Sequence, residues 1–184
     1  MRIFLLRLSL LLVVAGCSSR GPQVESDWER NNAVQLAGEE DVALPPYPKN
    51  ENLVPVYISA TTDFKYFVDA STLSVSPKAR EIRYVFVARS PSGVDNVSYE
   101  AIRCPEEFRV LATGEGAGKW SSRPGPWRPI VKGAALSWPY ALSRNYFCPH
   151  RDPIRTAEEG SDALRRGSHP AVYVEQRNVG GSGK

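Results

Sequence analysis

Short runs in which Val, Ile, Tyr and Phe alternate with polar residues occupy Leu53 to Ser59, Lys65 to Asp69, Glu81 to Arg89, Val94 to Cys104 and Glu107 to Thr113. A period of two sends successive side chains to opposite faces of a strand, so these runs predict a small antiparallel meander. The run from Glu81 to Arg89 carries Ile82, Tyr84, Phe86 and Ala88 on one face and still holds Val85 and Val87 on the other. A strand that is apolar on both faces belongs in the middle of a sheet covered on both sides. Ser90-Pro91-Ser92-Gly93 fits a type I turn, with Pro second and Gly fourth, and joins this strand to the next as a hairpin. Thr113 to Gly118 is predicted to be a flexible loop leading into Lys119-Trp120. It lacks the first Gly and the Ser or Thr of a phosphate-binding P-loop, so a hairpin turn is the reading it supports.

Two helices are predicted toward the C-terminus. Pro139 suits the first turn of one that runs to about Phe147, with Leu142 and Tyr146 on one face. Thr156-Ala157-Glu158-Glu159 carries a capping-box signature for the second, which continues through Leu164 and ends with Arg165 and Arg166 before Gly167. Ala171 to Gln176 is read as an added edge strand, and residues 179–184 as a glycine-rich tail. The fold class that results is α+β: a small antiparallel sheet over residues 53–178, one face covered by one or two C-terminal helices.

Composition narrows the possibilities. With 4 Trp, 8 Tyr and 6 Phe in 184 residues, the chain has the apolar surface for one core and not the length for a multidomain enzyme. Arg2 and Arg7 precede an uncharged apolar stretch from Leu8 to Val14, which reads as an export segment over residues 1–16 and is too short to span a bilayer. Val13-Val14-Ala15-Gly16-Cys17 resembles the lipobox of bacterial lipoproteins, which makes Cys17 the expected lipid anchor. Ser18 behind it, rather than Asp, points to the outer membrane. Residues 17–52 then form an acidic, Pro-rich tether, in which Trp28 and Tyr47 are candidate docking points.

Loss of residues 1–16 leaves 21 Lys and Arg against 20 Asp and Glu, which removes the compositional support for a nucleic-acid role. Cys104 and Cys148 remain, in a compartment where disulfides persist, and are expected to pair, stabilising the fold by about 4 kcal/mol. Metal binding through Cys104, Cys148, His150 and His169 lacks the close ligand pairs of zinc sites, and a Cys148/His150 nucleophile would need the thiolate that pairing removes. No cofactor, metal or catalytic set is therefore assigned. Trp120, Arg123, Trp127 and Arg128 flank a Pro/Gly-rich loop and form a candidate glycan-binding platform; the opposing reading is that both indoles close the core beneath the loop. Asp69 is expected to accept local backbone hydrogen bonds in a turn, and Glu100 to pair with Arg89 across the hairpin.

Trp28-Glu29, the Leu-Pro-Pro-Tyr-Pro run at 44–48, Phe67 to Ser71, Arg83-Tyr84, Arg89 to Gly93, Asn96 to Cys104, Trp120, Trp127 and Phe147-Cys148 together resemble the cryptic-neisserial-protein-like family of proteobacterial lipoproteins. The likeness spans about Trp28 to Arg166. Ala101 stands where that family usually has Gly, which implies that a side chain is tolerated there. The resemblance implies secretion, a lipid anchor and a single domain, and carries no known activity. The function expected is that of a non-enzymatic outer-membrane lipoprotein whose domain binds an envelope protein or supports the envelope, or, alternatively, binds glycan or peptidoglycan through the Trp120/Trp127 loop.

Overall fold

The computed structural model describes residues 43–172 apart from 117, 123 and 134–137. The leader, Cys17, Trp28, Arg123, most of the expected 171–176 strand and the tail lie outside them.

The strands are β1 (Leu53–Val56), β2 (Lys65–Ser76), β3 (Glu81–Arg89), β4 (Asp95–Arg103), β5 (Glu107–Glu115), β6 (Lys119–Ser122) and β7 (Arg128–Pro129). β1 to β6 lie side by side in sequence order, all antiparallel, and β7 pairs with β5 at Glu107 and Phe108. The predicted meander is present. β3 and β4 pair without interruption from Arg89 opposite Asp95 to Glu81 opposite Arg103. Their turn closes with Gly93 N–H donating to the Ser90 carbonyl at 2.9 Å.

Several boundaries differ from expectation. β1 stops at Val56 because the segment after it satisfies its own polar groups: Thr61 N–H donates to Ser59 Oγ and Phe64 N–H to Thr62 Oγ1, both at 3.2 Å. β2 runs on to Ser76 through a bulge that inserts residues 70–73 opposite Tyr84. Asp69 stitches that bulge as expected, accepting from Ser71 N–H at 2.9 Å and Ser71 Oγ at 2.6 Å. Half of the predicted flexible loop is strand, since Thr113 to Glu115 belong to β5 and Glu115 already pairs with Lys119. Ala171 and Val172 are helical, not strand, because His169 N–H is tied to the Asn145 carbonyl and Val172 N–H folds back to the His169 carbonyl.

The helical layer consists of α1 (Trp138–Leu142), which continues as a π-turn over Ser143–Phe147, and α2 (Ala157–Arg166). α2 begins and ends where its sequence says: Thr156 Oγ1 accepts from Glu159 N–H, and Gly167 closes it in the left-handed region. One departure concerns Glu159, whose carboxylate reaches back to Arg155 N–H at 2.7 Å and also holds His169 Nε2 at 3.0 Å.

The sheet has a filled core on each face. The helical face buries Ile82, Tyr84, Phe86 and Ile102 against Leu142, Tyr146, Phe147, Ile154 and Leu164. The bulge delivers Leu73 to α2, and Gly160 lets that helix come close: a Cβ there would lie 2.7 Å from Ile154 Cδ1. The other face buries Val85, Val87, Val97, Tyr99, Ala101 and Leu111 under Tyr47, Leu53, Phe67, Trp120 and Trp127. Gly114 makes room for Tyr47, whose hydroxyl would stand 2.6 Å from a Cβ at that position. β3 thus sits centrally with both faces covered, as its composition requires.

Candidate functional site

Trp120 and Trp127, the aromatic pair singled out above, both lie on the face away from the helices and are committed to packing. The Trp120 indole donates to the Pro45 carbonyl at 2.9 Å and rests against Tyr47, with ring centroids 5.2 Å apart. Trp127 lies beneath two guanidiniums, Arg103 at 4.0 Å and Arg109 at 4.4 Å from its ring centroid. Arg103 is in turn tied to Glu107 at 3.3 Å and Glu81 at 3.8 Å. Arg128 is exposed and pairs with Phe108, a residue of the helical face, so it projects to the side opposite Trp127. The structure therefore brings the two indoles to one face and leaves Arg128 off it. Ala101 is fully buried on that face, in register between Arg83 and Arg109, where its methyl group is accommodated.

The expected Glu100–Arg89 pair is not formed. The hairpin register sets Arg89 against Asp95, which it grips at 2.6 and 2.8 Å, and sets Glu100 against Tyr84, five residues further along. Glu100 is consequently a carboxyl group with no exposed surface, lodged among the aromatic side chains of the helical face. Ser98 Oγ donates to one of its oxygens at 2.6 Å and the Trp138 indole N–H to the other at 3.2 Å. Burial pushes the Glu100 carboxyl up to about 7, against the opposing pull of Ser98, Tyr84 and Trp138. The Tyr84 hydroxyl, fully buried beside it, makes no hydrogen bond of good geometry, and its ionisation is raised by burial first and by the Glu100 charge second. Trp138 also stacks on Phe86 at 5.4 Å, so the start of α1 is pinned to the sheet over this carboxyl.

The other end of that helical segment is covalently fixed. Cys148 follows the π-turn and is bonded to Cys104 at the end of β4, as expected from the export reading. A cleft of about 800 Å³ opens beside the disulfide. Its lining includes His150 and Glu106, the histidine and carboxylate that a hydrolytic site would require, but the Glu106 carboxylate is held by the Arg151 guanidinium. His169, the second histidine, is turned to Glu159 at 3.0 Å. Among the described residues no three His, Cys, Asp or Glu side chains are grouped to hold a metal ion, and no helix is long and apolar enough to cross a membrane.

The model of the CNP1-like family matches residues 33–165, which include every strand and all but the last residue of α2. The chain belongs to the CNP1-like family. No curated protein and no solved structure matches it. In this CNP1-like protein the family match encloses the buried carboxyl, the disulfide and the cleft lining apart from Val172.

Proposed function

We propose that this CNP1-like protein is a lipid-anchored protein of the outer membrane, held by Cys17, whose domain binds an envelope partner and performs no chemistry of its own. The observation that carries the reading is the pairing of Cys104 with Cys148, because a bond between two otherwise free thiols suits an oxidising compartment. Support for the anchor comes from Val13-Val14-Ala15-Gly16-Cys17 and the basic, then apolar, segment before it. Binding rather than catalysis is favoured by the engagement of Glu106 with Arg151 and of His169 with Glu159. The near balance of charge after loss of the leader favours a protein or glycan partner over nucleic acid.

A Cys17→Ser variant expressed in a Gram-negative host is expected to lose palmitate labelling and to leave the membrane fraction. Equal labelling of variant and parent would overturn the anchor. Because the Trp120 and Trp127 rings are already in contact with Tyr47, Arg103 and Arg109, soluble muropeptides are expected to leave the tryptophan emission unchanged. A saturable shift that disappears in Trp127→Ala would instead favour the glycan-binding alternative.

A further inference from the structure

We propose that the cleft beside the Cys104–Cys148 bond is a binding site for a phosphomonoester carried on an apolar body, with Lys132 and Arg144 holding the phosphate. The proposal goes beyond the envelope reading and stands whether or not Cys17 is acylated.

The cleft volume, about 800 Å³, falls within the range of small-molecule sites. Three cations line it, Lys132, Arg144 and Arg151, against one carboxylate, Glu106, and that carboxylate is satisfied by Arg151. Lys132 and Arg144 are exposed and make no ion pair among the described residues. Two cations lining one concavity without a counter-charge of their own leave a positive potential there, which a dianion relieves. A phosphomonoester is close to dianionic at neutral pH and presents three acceptor oxygens, and the fork of donors on Arg144 matches two of them. Tyr140 and His150 add donors to the same lining. The remaining wall is apolar, from Pro105, Ile130 and the buried Val172, and offers contact to a carbon body beside the charged head.

The backbone around the cleft carries strain that the fold retains. His150 and Arg151 are consecutive non-glycine residues at φ 53° and 69°, a conformation that costs about 1 kcal/mol or more per residue. The third such residue among those described, Arg80 at φ 56°, belongs to the same assembly. Its guanidinium donates to the Arg151 carbonyl at 2.7 Å, the Asp152 carboxylate at 3.1 Å and the Cys104 carbonyl at 3.3 Å. Left-handed backbone at 150 and 151 is what sets the His150 ring and the Arg151–Glu106 pair at the cleft. The opposite wall is as firmly placed: Ser143 Oγ donates to the Pro105 carbonyl at 2.7 Å, and Arg144 follows it on a segment fixed by Trp138 at one end and Cys148 at the other. Arg144 thus stands on a clamped segment, and Lys132 lies two residues beyond Ile130, whose N–H donates to the Glu106 carbonyl at 2.6 Å, so the ordering cost left for an arriving anion is mainly that of the two side chains.

Calorimetric titration of the full-length protein in detergent with phenyl phosphate is the test, with inorganic phosphate and benzoate as comparison ligands. Saturable binding is expected for phenyl phosphate, weaker by about tenfold or more for inorganic phosphate, which lacks the apolar body, and for benzoate, which lacks the second charge. Lys132→Ala and Arg144→Ala are each expected to weaken phenyl phosphate by about tenfold, while Lys119→Ala, at the start of β6 and outside the cleft lining, leaves it unchanged. Dihexanoyl phosphatidic acid binding more tightly than phenyl phosphate would identify the head group of a lipid as the source; weaker binding would identify a soluble phosphomonoester. No saturable binding of phenyl phosphate at millimolar concentration, or equal binding by the parent and the Lys132→Ala/Arg144→Ala double variant, would overturn the proposal.

Discussion

Replacing both Cys104 and Cys148 by Ala is expected to lower the unfolding free energy by about 4 kcal/mol, the largest single loss we anticipate for this domain. The two residues are separated by 44 positions, and the bond between them closes a loop that in the unfolded chain would otherwise sample many more conformations. Both side chains are almost fully buried in the helical-face core, so alanine at each leaves no polar group unsatisfied and the loss of the cross-link dominates. The end of the sheet most affected is the one where Arg80 reaches the Cys104 and Arg151 carbonyls, since that clamp depends on the two segments staying together. Urea denaturation of the double-alanine variant and the oxidised parent, with and without reductant, checks this. The parent in reductant is expected to fall to the variant's midpoint; a midpoint unchanged by both treatments would show that the bond contributes no stability.

The second large effect is a pH dependence centred on Glu100. Its carboxyl titrates near 7 in the folded protein and near 4.5 when unfolded, so between those values the folded state keeps a proton that the unfolded state has released. Stability from this group is therefore complete below about pH 4.5, declines as pH rises through about 7 and is flat above. The decline amounts to about 3 kcal/mol, at about 1.4 kcal/mol for each pH step between the two values. Glu100→Gln removes it. The amide oxygen can accept from the Trp138 indole, and the amide nitrogen can donate to Ser98 Oγ or to the Tyr84 hydroxyl beside it. The variant is expected to match the parent at pH 4.5 and to exceed it by about 3 kcal/mol at pH 8. Asp95 and Glu159, whose carboxyls are held below their ordinary values, weaken both proteins equally in acid and cancel in the comparison. Parallel stability profiles for the two proteins would show that Glu100 does not carry the effect.

The β3–β4 hairpin and α2 could be read from the sequence because each carries its own punctuation: Ser90-Pro91-Ser92-Gly93 for one, Thr156, Glu159 and Gly167 for the other. Glu100 departs from its expected pairing because register, and not charge complementarity, decides which residue stands opposite. The same turn that joins β3 to β4 places Arg89 beside Asp95, and counting back from it puts Glu100 opposite Tyr84 on the apolar face. The β2 bulge left no trace in hydrophobic alternation, since residues 70–73 are held by the Asp69 and Thr72 side chains rather than by ladder bonds. The cleft was illegible for a different reason. Lys132, Arg144 and Arg151 are scattered along the chain; the pairing of β7 with β5 brings in the first, and the disulfide and a left-handed pair at 150 and 151 that no glycine announces bring in the others.

The central claim, that this CNP1-like protein is exported, acylated and oxidised, is tested most directly by the intact mass of the protein isolated from envelopes without reductant. The mass expected is that of a chain beginning at Cys17, carrying fatty acyl groups and lacking two hydrogens at Cys104 and Cys148. A chain that retains residues 1–16, with three free thiols and no acyl group, would contradict it.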